Sequence, residues 1–198
     1  MNKTLTAMIG ALAIGLTACS TGDSSFSTGF VEIRPNRTVA GNVTITETLD
    51  KETLKISTKT ETTSVKWIFS AGPGSPGGRI LGFRITSEKV GSNPDLIDPK
   101  KPFNVGGINV YVQSGWSCTP APGPSQSCLG VNKDKANGAA SVAVEFAPSG
   151  ALESFMLANR GSASVTYNFT FYGVDDAGKP FEIALPGEVI TGTYNKAG

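Results

Sequence analysis

Histidine does not occur anywhere in this chain of 198 residues. Its absence removes every His general base, every His metal ligand and the Ser-His-Asp and Cys-His arrangements, and most hydrolase chemistry goes with them. Charge is also scarce. Charged residues make up 17%, against an ordinary share of about a quarter, which argues against a disordered acidic or basic tail protein. Seventeen Lys plus Arg meet sixteen Asp plus Glu, for a net charge of +1. Binding to nucleic acid through bulk charge is therefore not expected. Cysteine occurs only three times and never as C-x-x-C, so two-thiol redox and zinc chemistry lack their usual residues. No apolar run reaches the roughly 20 residues that cross a bilayer as a helix, and no repeat of 20 to 50 residues is visible.

What the chain has in quantity is small hydroxyl and turn residues. Ser and Thr number 39, Gly 24 and Pro 12, a composition typical of exported all-β proteins. The N-terminus supports export. Lys3 forms a short positive region, and Thr4 to Ala18 is uncharged and mostly apolar, which is secretory-signal architecture. It ends in Leu16-Thr17-Ala18-Cys19. This closely resembles the lipobox of bacterial lipoproteins. The resemblance implies that residues 1–18 are removed and that the Cys19 sulfur takes a diacylglycerol. The new N-terminus usually gains a further acyl chain such as palmitate. Two or more chains, at about 0.8 kcal/mol per buried methylene, hold a protein on a membrane where one does so only marginally. Ser20 stands where that family often places Asp for inner-membrane retention. The outer membrane is thus the expected destination, with the periplasmic or surface-exposed face left open. Residues 19–28 read as the lipidated Cys and a flexible tether of roughly 15 to 18 Å reach.

With Cys19 assigned to lipid, Cys118 and Cys128 remain as a single pair around TPAPGPSQS. A disulfide closing so short a loop would add roughly 2 to 3 kcal/mol and suits an oxidising envelope.

From residue 29 onward the pattern has period two. Phe30 to Arg34, Asn42 to Leu49, Glu52 to Thr60, Thr63 to Ser70 and Arg79 to Ser87 read as strands. The face of Ile108, Val110 and Val112, that of Val142, Val144 and Phe146, and a last segment from Glu188 to Tyr194 read likewise. Trp67 is in phase with Val65 and Phe69 and belongs to the core. The strongest alternation, Val165, Tyr167, Phe169 and Phe171, turns at Asp175-Asp176-Ala177-Gly178 into Phe181, Ile183 and Leu185, a predicted hairpin. A second hairpin is predicted across AGPGSPGG, residues 71–78. Leu152, Phe155 and Met156 fit one helical turn.

The fold these segments predict for residues 29–198 is a single all-β domain: an antiparallel two-sheet sandwich of about 9 to 10 strands with at most a short helical turn, a small β-barrel being the alternative. The texture, and phrases such as VTYNFTFYGVDDAGKPFEI, resemble the immunoglobulin-like and fibronectin-like domains of bacterial envelope lipoproteins over residues 29–195. Cys118 and Cys128 are too close in sequence to form the inter-sheet bridge of antibody domains.

Catalytic motifs are missing as well. No Ser has Lys three positions on, and there is no G-x-S-x-G. Gly72 and Gly77 have phosphate-loop spacing, but Gly78 and Arg79 follow where Lys and Ser/Thr belong. Asp95, Asp98, Asp175 and Asp176 read as solvated loop acids. No enzyme activity, metal or cofactor is expected. The expected role is a structural or accessory subunit that docks on another envelope protein or surface assembly. The alternative is a glycan- or ligand-binding module carried by Trp116 with Tyr111 or Tyr172, since such rings can form either a sugar platform or a protein hot spot.

Overall fold

The computed structural model describes residues 31–119 and 132–197. Cys19 and Cys128 lie outside the described residues, and so do the expected lipid attachment and the pairing of Cys118 with Cys128. Among the described residues the chain forms eleven strands and one helix. They are β1 (Ile33–Val39), β2 (Asn42–Asp50), β3 (Lys55–Thr63), β4 (Val65–Ala71), β5 (Gly78–Val90), β6 (Phe103–Val112), β7 (Trp116–Thr119), β8 (Asn132–Lys135), β9 (Val144–Phe146), α1 (Gly150–Asn159), β10 (Ala163–Asp175) and β11 (Pro180–Asn195). A six-stranded sheet runs β3-β2-β11-β10-β5-β6, a three-stranded one β1-β4-β9, and β7 and β8 form a small ribbon. The protein is mostly β, with mixed rather than purely antiparallel pairing, because β11 ends by running parallel to β2 from Thr191 to Asn195.

Alternation explains the core. In β10, Val165, Tyr167, Phe169 and Phe171 are all buried, as are Val65, Trp67 and Phe69 of β4, because successive side chains of a strand point to opposite faces. The two sheets meet through these rings. Trp67 lies edge-on to Phe169 at 5.0 Å and to Phe171 at 5.5 Å, and Phe69 meets Phe171 at 5.0 Å. From the other side Phe146 of β9 meets Phe169 at 5.1 Å and Phe83 at 5.9 Å. Such edge-to-face pairs add about 0.5 to 1.5 kcal/mol each beyond the area they bury.

The predicted hairpin from residues 71–78 is not formed. β4 and β5 belong to different sheets. The intervening loop is tied elsewhere: the Glu32 amide donates to the Ser75 hydroxyl at 2.8 Å, and the Gly115 amide donates to the Ser75 carbonyl at 2.8 Å. Both strands still present an apolar face to one core, but from opposite layers. The predicted β10–β11 hairpin does form. Asp175 Oδ1 accepts from the amides of Ala177 and Lys179, and Gly178 takes the positive φ of 78° that the turn requires.

The expected single helical turn extends to ten residues. Ser149 caps it by accepting from the Ala151 amide at 3.2 Å, and Leu152 and Met156 are buried against the sheets. A Cβ on Gly192 would come within 2.2 Å of the Met156 sulfur, so the helix is seated on that glycine. A closed polar node fixes the helix start. Ser149 and Tyr167 hydroxyls both donate to buried Glu88, and the Ser149 amide donates to Tyr167 Oη. Glu153 in the first turn accepts from Thr60 at 2.8 Å, joining the helix to β3.

Two kinds of outcome are expected from this packing, the first from core substitutions. Phe169→Ala should cost about 3 to 5 kcal/mol by thermal or denaturant unfolding, as a large ring lost from a close-packed core. Trp67→Phe should cost less than half of that, because the buried indole N–H has no hydrogen-bond partner and its removal offsets part of the lost contact. The second outcome concerns pH. Burial, aided by Glu88 and opposed by the hydrogen bonds of Ser149, pushes the Tyr167 phenol up to about 12. The folded state thus holds the proton more tightly than the unfolded chain. That stabilisation is complete below pH 10 and is lost as pH rises from about 10 to 12. Melting temperature should fall over that interval in the native protein, and fall distinctly less in Tyr167→Phe.

Candidate functional site

One open groove of about 590 Å³ lies on the outer face of the six-stranded sheet. Its construction starts from a glycine. Between β10 and β5 the register passes from Tyr172↔Gly82 to Gly173↔Ile80, so Leu81 is an extra residue, a β-bulge. Ile80 and Phe83 remain buried on the core side while Leu81 and Arg84 face outward. Tyr172 leans across the bulge. Its hydroxyl donates to the Val105 carbonyl of β6 at 3.4 Å, which takes the ring over the cross-strand pair Gly82↔Gly106. A Cβ at position 82 would stand 2.3 Å from Tyr172 Oη and 2.3 Å from the Val105 carbonyl oxygen. Only glycine fits there.

Around this ring stand Leu81, Asn104, Arg84 and Glu182. Arg84 of β5 pairs with Glu182 of β11 across β10. On the same sheet face toward β6, Arg79 reaches the Asn109 amide oxygen at 3.3 Å and lies 5.4 Å from the centre of the Tyr111 ring. The surface therefore presents aromatic faces, guanidinium and amide donors, and a carboxylate acceptor. It is equipped to recognise a ligand by stacking and hydrogen bonding. Of the acids read as loop residues in the sequence, Asp95, Asp98 and Asp175 serve the backbone. Asp95 accepts from the amides of Glu88 and Ile97, and its carboxyl sits below the usual range despite an opposing desolvation effect, because Ser87 and these amides hydrogen-bond the charged form. Asp98 accepts from the Lys100 amide at 2.9 Å. Among the described residues no three Asp, Glu, Cys or His side chains converge as metal ligands.

Of the three aromatics singled out in the sequence, Tyr111 and Tyr172 share the outer face. Only Tyr172 of the three lines the groove, and Trp116 stands on neither tyrosine's strand. It is half-buried on β7, opposite Lys135 of β8. The neighbouring Gly115 is pressed against the loop between β4 and β5, where a Cβ would come within 1.7 Å of the Gly72 carbonyl oxygen. The expected platform of Trp116 with a tyrosine is thus replaced by one built on Tyr172, with Tyr111 two strands away on β6. Arg84, Asn104 and Glu182 were not legible in the sequence. Their outward strand positions mark them only as polar, and nothing in linear spacing pairs Arg84 with a residue 98 positions later.

No protein-family model matches the chain, and no curated protein matches it. No described helix is long and apolar enough to cross a membrane.

Gly82→Ala is expected to force β6 away from β5. Thermal unfolding should show a loss of about 1 to 3 kcal/mol, as for overpacking in a tight site, and the β6 amides should exchange faster with solvent. Gly178→Ala has open space but a positive φ. It should cost about 1 to 2 kcal/mol, through backbone strain alone, and leave β6 exchange unchanged.

Proposed function

We propose that this chain is a non-enzymatic, lipid-anchored envelope protein that presents a rigid β domain to another envelope protein, as a structural or accessory subunit of an outer-membrane or surface assembly. Anchoring rests on the lipobox-like Leu16-Thr17-Ala18-Cys19. The observation that carries the docking role is the outer face of β5, β6, β10 and β11. There Tyr172 and Tyr111 lie beside Arg84 and Arg79, the residue types in which interface hot spots are richest. A near-zero net charge suits association through such a patch rather than through long-range attraction. The immunoglobulin-like description belongs to the same proposal. Two layers joined through an aromatic core support it, while the curl of the larger sheet departs from a flat two-sheet sandwich.

A second reading, a glycan-binding module, is favoured by one feature. The Tyr172 ring, the Asn104 amide and the Arg84–Glu182 pair offer a flat apolar face ringed by donors and an acceptor, which suits a pyranose.

Native protein extracted from envelopes in mild detergent should carry lipid on Cys19 and bring a defined partner with it. Cys19→Ala should move to the soluble fraction. Tyr172→Ala with Arg84→Ala should reduce partner capture at least tenfold while changing melting temperature little. Capture unaffected by that double substitution would remove the outer face from the proposal. Binding on a glycan array that disappears in Tyr172→Ala, with no protein partner, would favour the second reading.

A further inference from the structure

The open edges of the sheets are not treated alike. β1 carries Pro35, which has no amide to donate, and its ladder with β4 slips between Arg37 and Val39. β9 is three residues long. β6 bulges around Gly107 and Asn109, both at positive φ. These are the devices by which proteins keep a sheet edge from pairing with another chain. β3 has none of them. It pairs with β2 without a break over nine residues, from Asn42↔Thr63 to Asp50↔Lys55. It contains no proline or glycine, and apart from half-buried Thr60 it is exposed on both faces. Thr60 itself is held by its hydrogen bond to Glu153 of the helix.

The remaining edge device is lysine, which ordinarily repels a second strand. Here Lys59 lies 2.6 Å from Glu61 two residues on, on the same face of the strand. Each group holds the other in its charged form: the Lys59 ammonium is raised and the Glu61 carboxyl lowered by their hydrogen bond. The pattern is self-complementary about Thr60. In an antiparallel pair of two β3 strands related by a twofold axis, faces match only when opposed residue numbers add to an even sum. Centring the axis on Lys59 opposes the lysine to itself, and centring it on Glu61 opposes two carboxylates. Centring it on Thr60 sets Lys59 against the other copy's Glu61 on both sides of the axis, with Thr58 against Thr62. Opposite charges and Thr pairs directly across from one another are the favourable cross-strand combinations.

We propose that β3 is a self-association edge. Two copies of this chain join their six-stranded sheets through antiparallel pairing of Ser57–Thr63, with Thr60 on the twofold axis. The outer-face groove lies on the far side of the sheet from this edge, so the inference is independent of the partner suggested above. A seven-residue ladder is smaller than a standard stable interface. The dimer is therefore weak in solution and strengthened when both copies are confined to one surface.

Sedimentation equilibrium of the full chain up to about 1 mM tests this. The expected result is a reversible monomer–dimer equilibrium that weakens at least tenfold in Lys59→Glu, which opposes Glu61 with a like charge, and recovers in Lys59→Glu with Glu61→Lys. Both residues are solvent-exposed, so neither change should alter the melting temperature of the monomer. Thr60→Cys should be joined to a second copy by a short bis-maleimide, and wild type, with its native Cys19, Cys118 and Cys128, should not. A protein that stays monomeric throughout overturns the proposal. So does a dimer indifferent to Lys59→Glu. A dimer that cross-links through Thr58→Cys rather than Thr60→Cys overturns the register.

Discussion

The contact on which everything else rests is the junction of aromatic rings between the two sheets. β4 supplies Trp67 and Phe69, β9 supplies Phe146, and β10 and β5 answer with Tyr167, Phe169, Phe171 and Phe83. Without these side chains the three-stranded sheet would keep only Ile33, Val65, Ala71 and Val144 buried against the larger one. Edge-to-face geometry sets the spacing of the layers, and the pleat decides which residues emerge outward. Tyr172, directly after Phe171, is turned to the opposite face by the pleat alone. The outer platform and the inner core are two sides of one alternating strand.

Glycine makes the second contribution, by letting side chains lie where a Cβ would stop them. Gly82 admits Tyr172, Gly192 admits Met156, and Gly115 lets the β7–β8 ribbon meet the loop after β4. Each glycine joins two segments far apart in sequence. Together they explain why a chain so rich in turn residues still forms a defined tertiary arrangement: part of its glycine serves close approach rather than flexibility.

The polar groups are distributed with the same economy. Glu88, one of few buried polar side chains, is satisfied by Ser149 and Tyr167 and locks the helix to β5 and β10. The exposed charges, by contrast, lie along strands and pair across neighbouring strands (Lys66 with Glu145), next-nearest strands (Arg84 with Glu182) or from one sheet to the other (Arg37 with Glu188). Exposed pairs of this kind add little stability. Their placement instead decides what the sheet faces and edges present to a partner.

Much of this was legible from residue order. Period-two alternation located β2, β4, β5, β10 and, as two separate segments, the single strand β11, assigned Trp67 to the core, and set Tyr167, Phe169 and Phe171 on one face, because pleating acts residue by residue. The Asp-Asp-Ala-Gly turn and the helical spacing of Leu152 and Met156 were equally local. Val142 shows the limit. It continues the alternation of Val144 and Phe146, yet it is 71% exposed, because β9 begins only at Val144 and an apolar side chain beyond the ladder is not drawn inward. The allocation of strands to sheets was not legible. β4 and β5 look like a hairpin because a Gly/Pro loop joins them, but alternation says only that each strand has a buried face, not which layer it occupies. For the same reason tertiary structure alone decided that Tyr172 gathers Arg84 and Glu182 while Trp116 stands apart on its ribbon. Strand register, set by bulges and glycine contacts between distant segments, brings outward side chains together, and no pattern along a single strand encodes it.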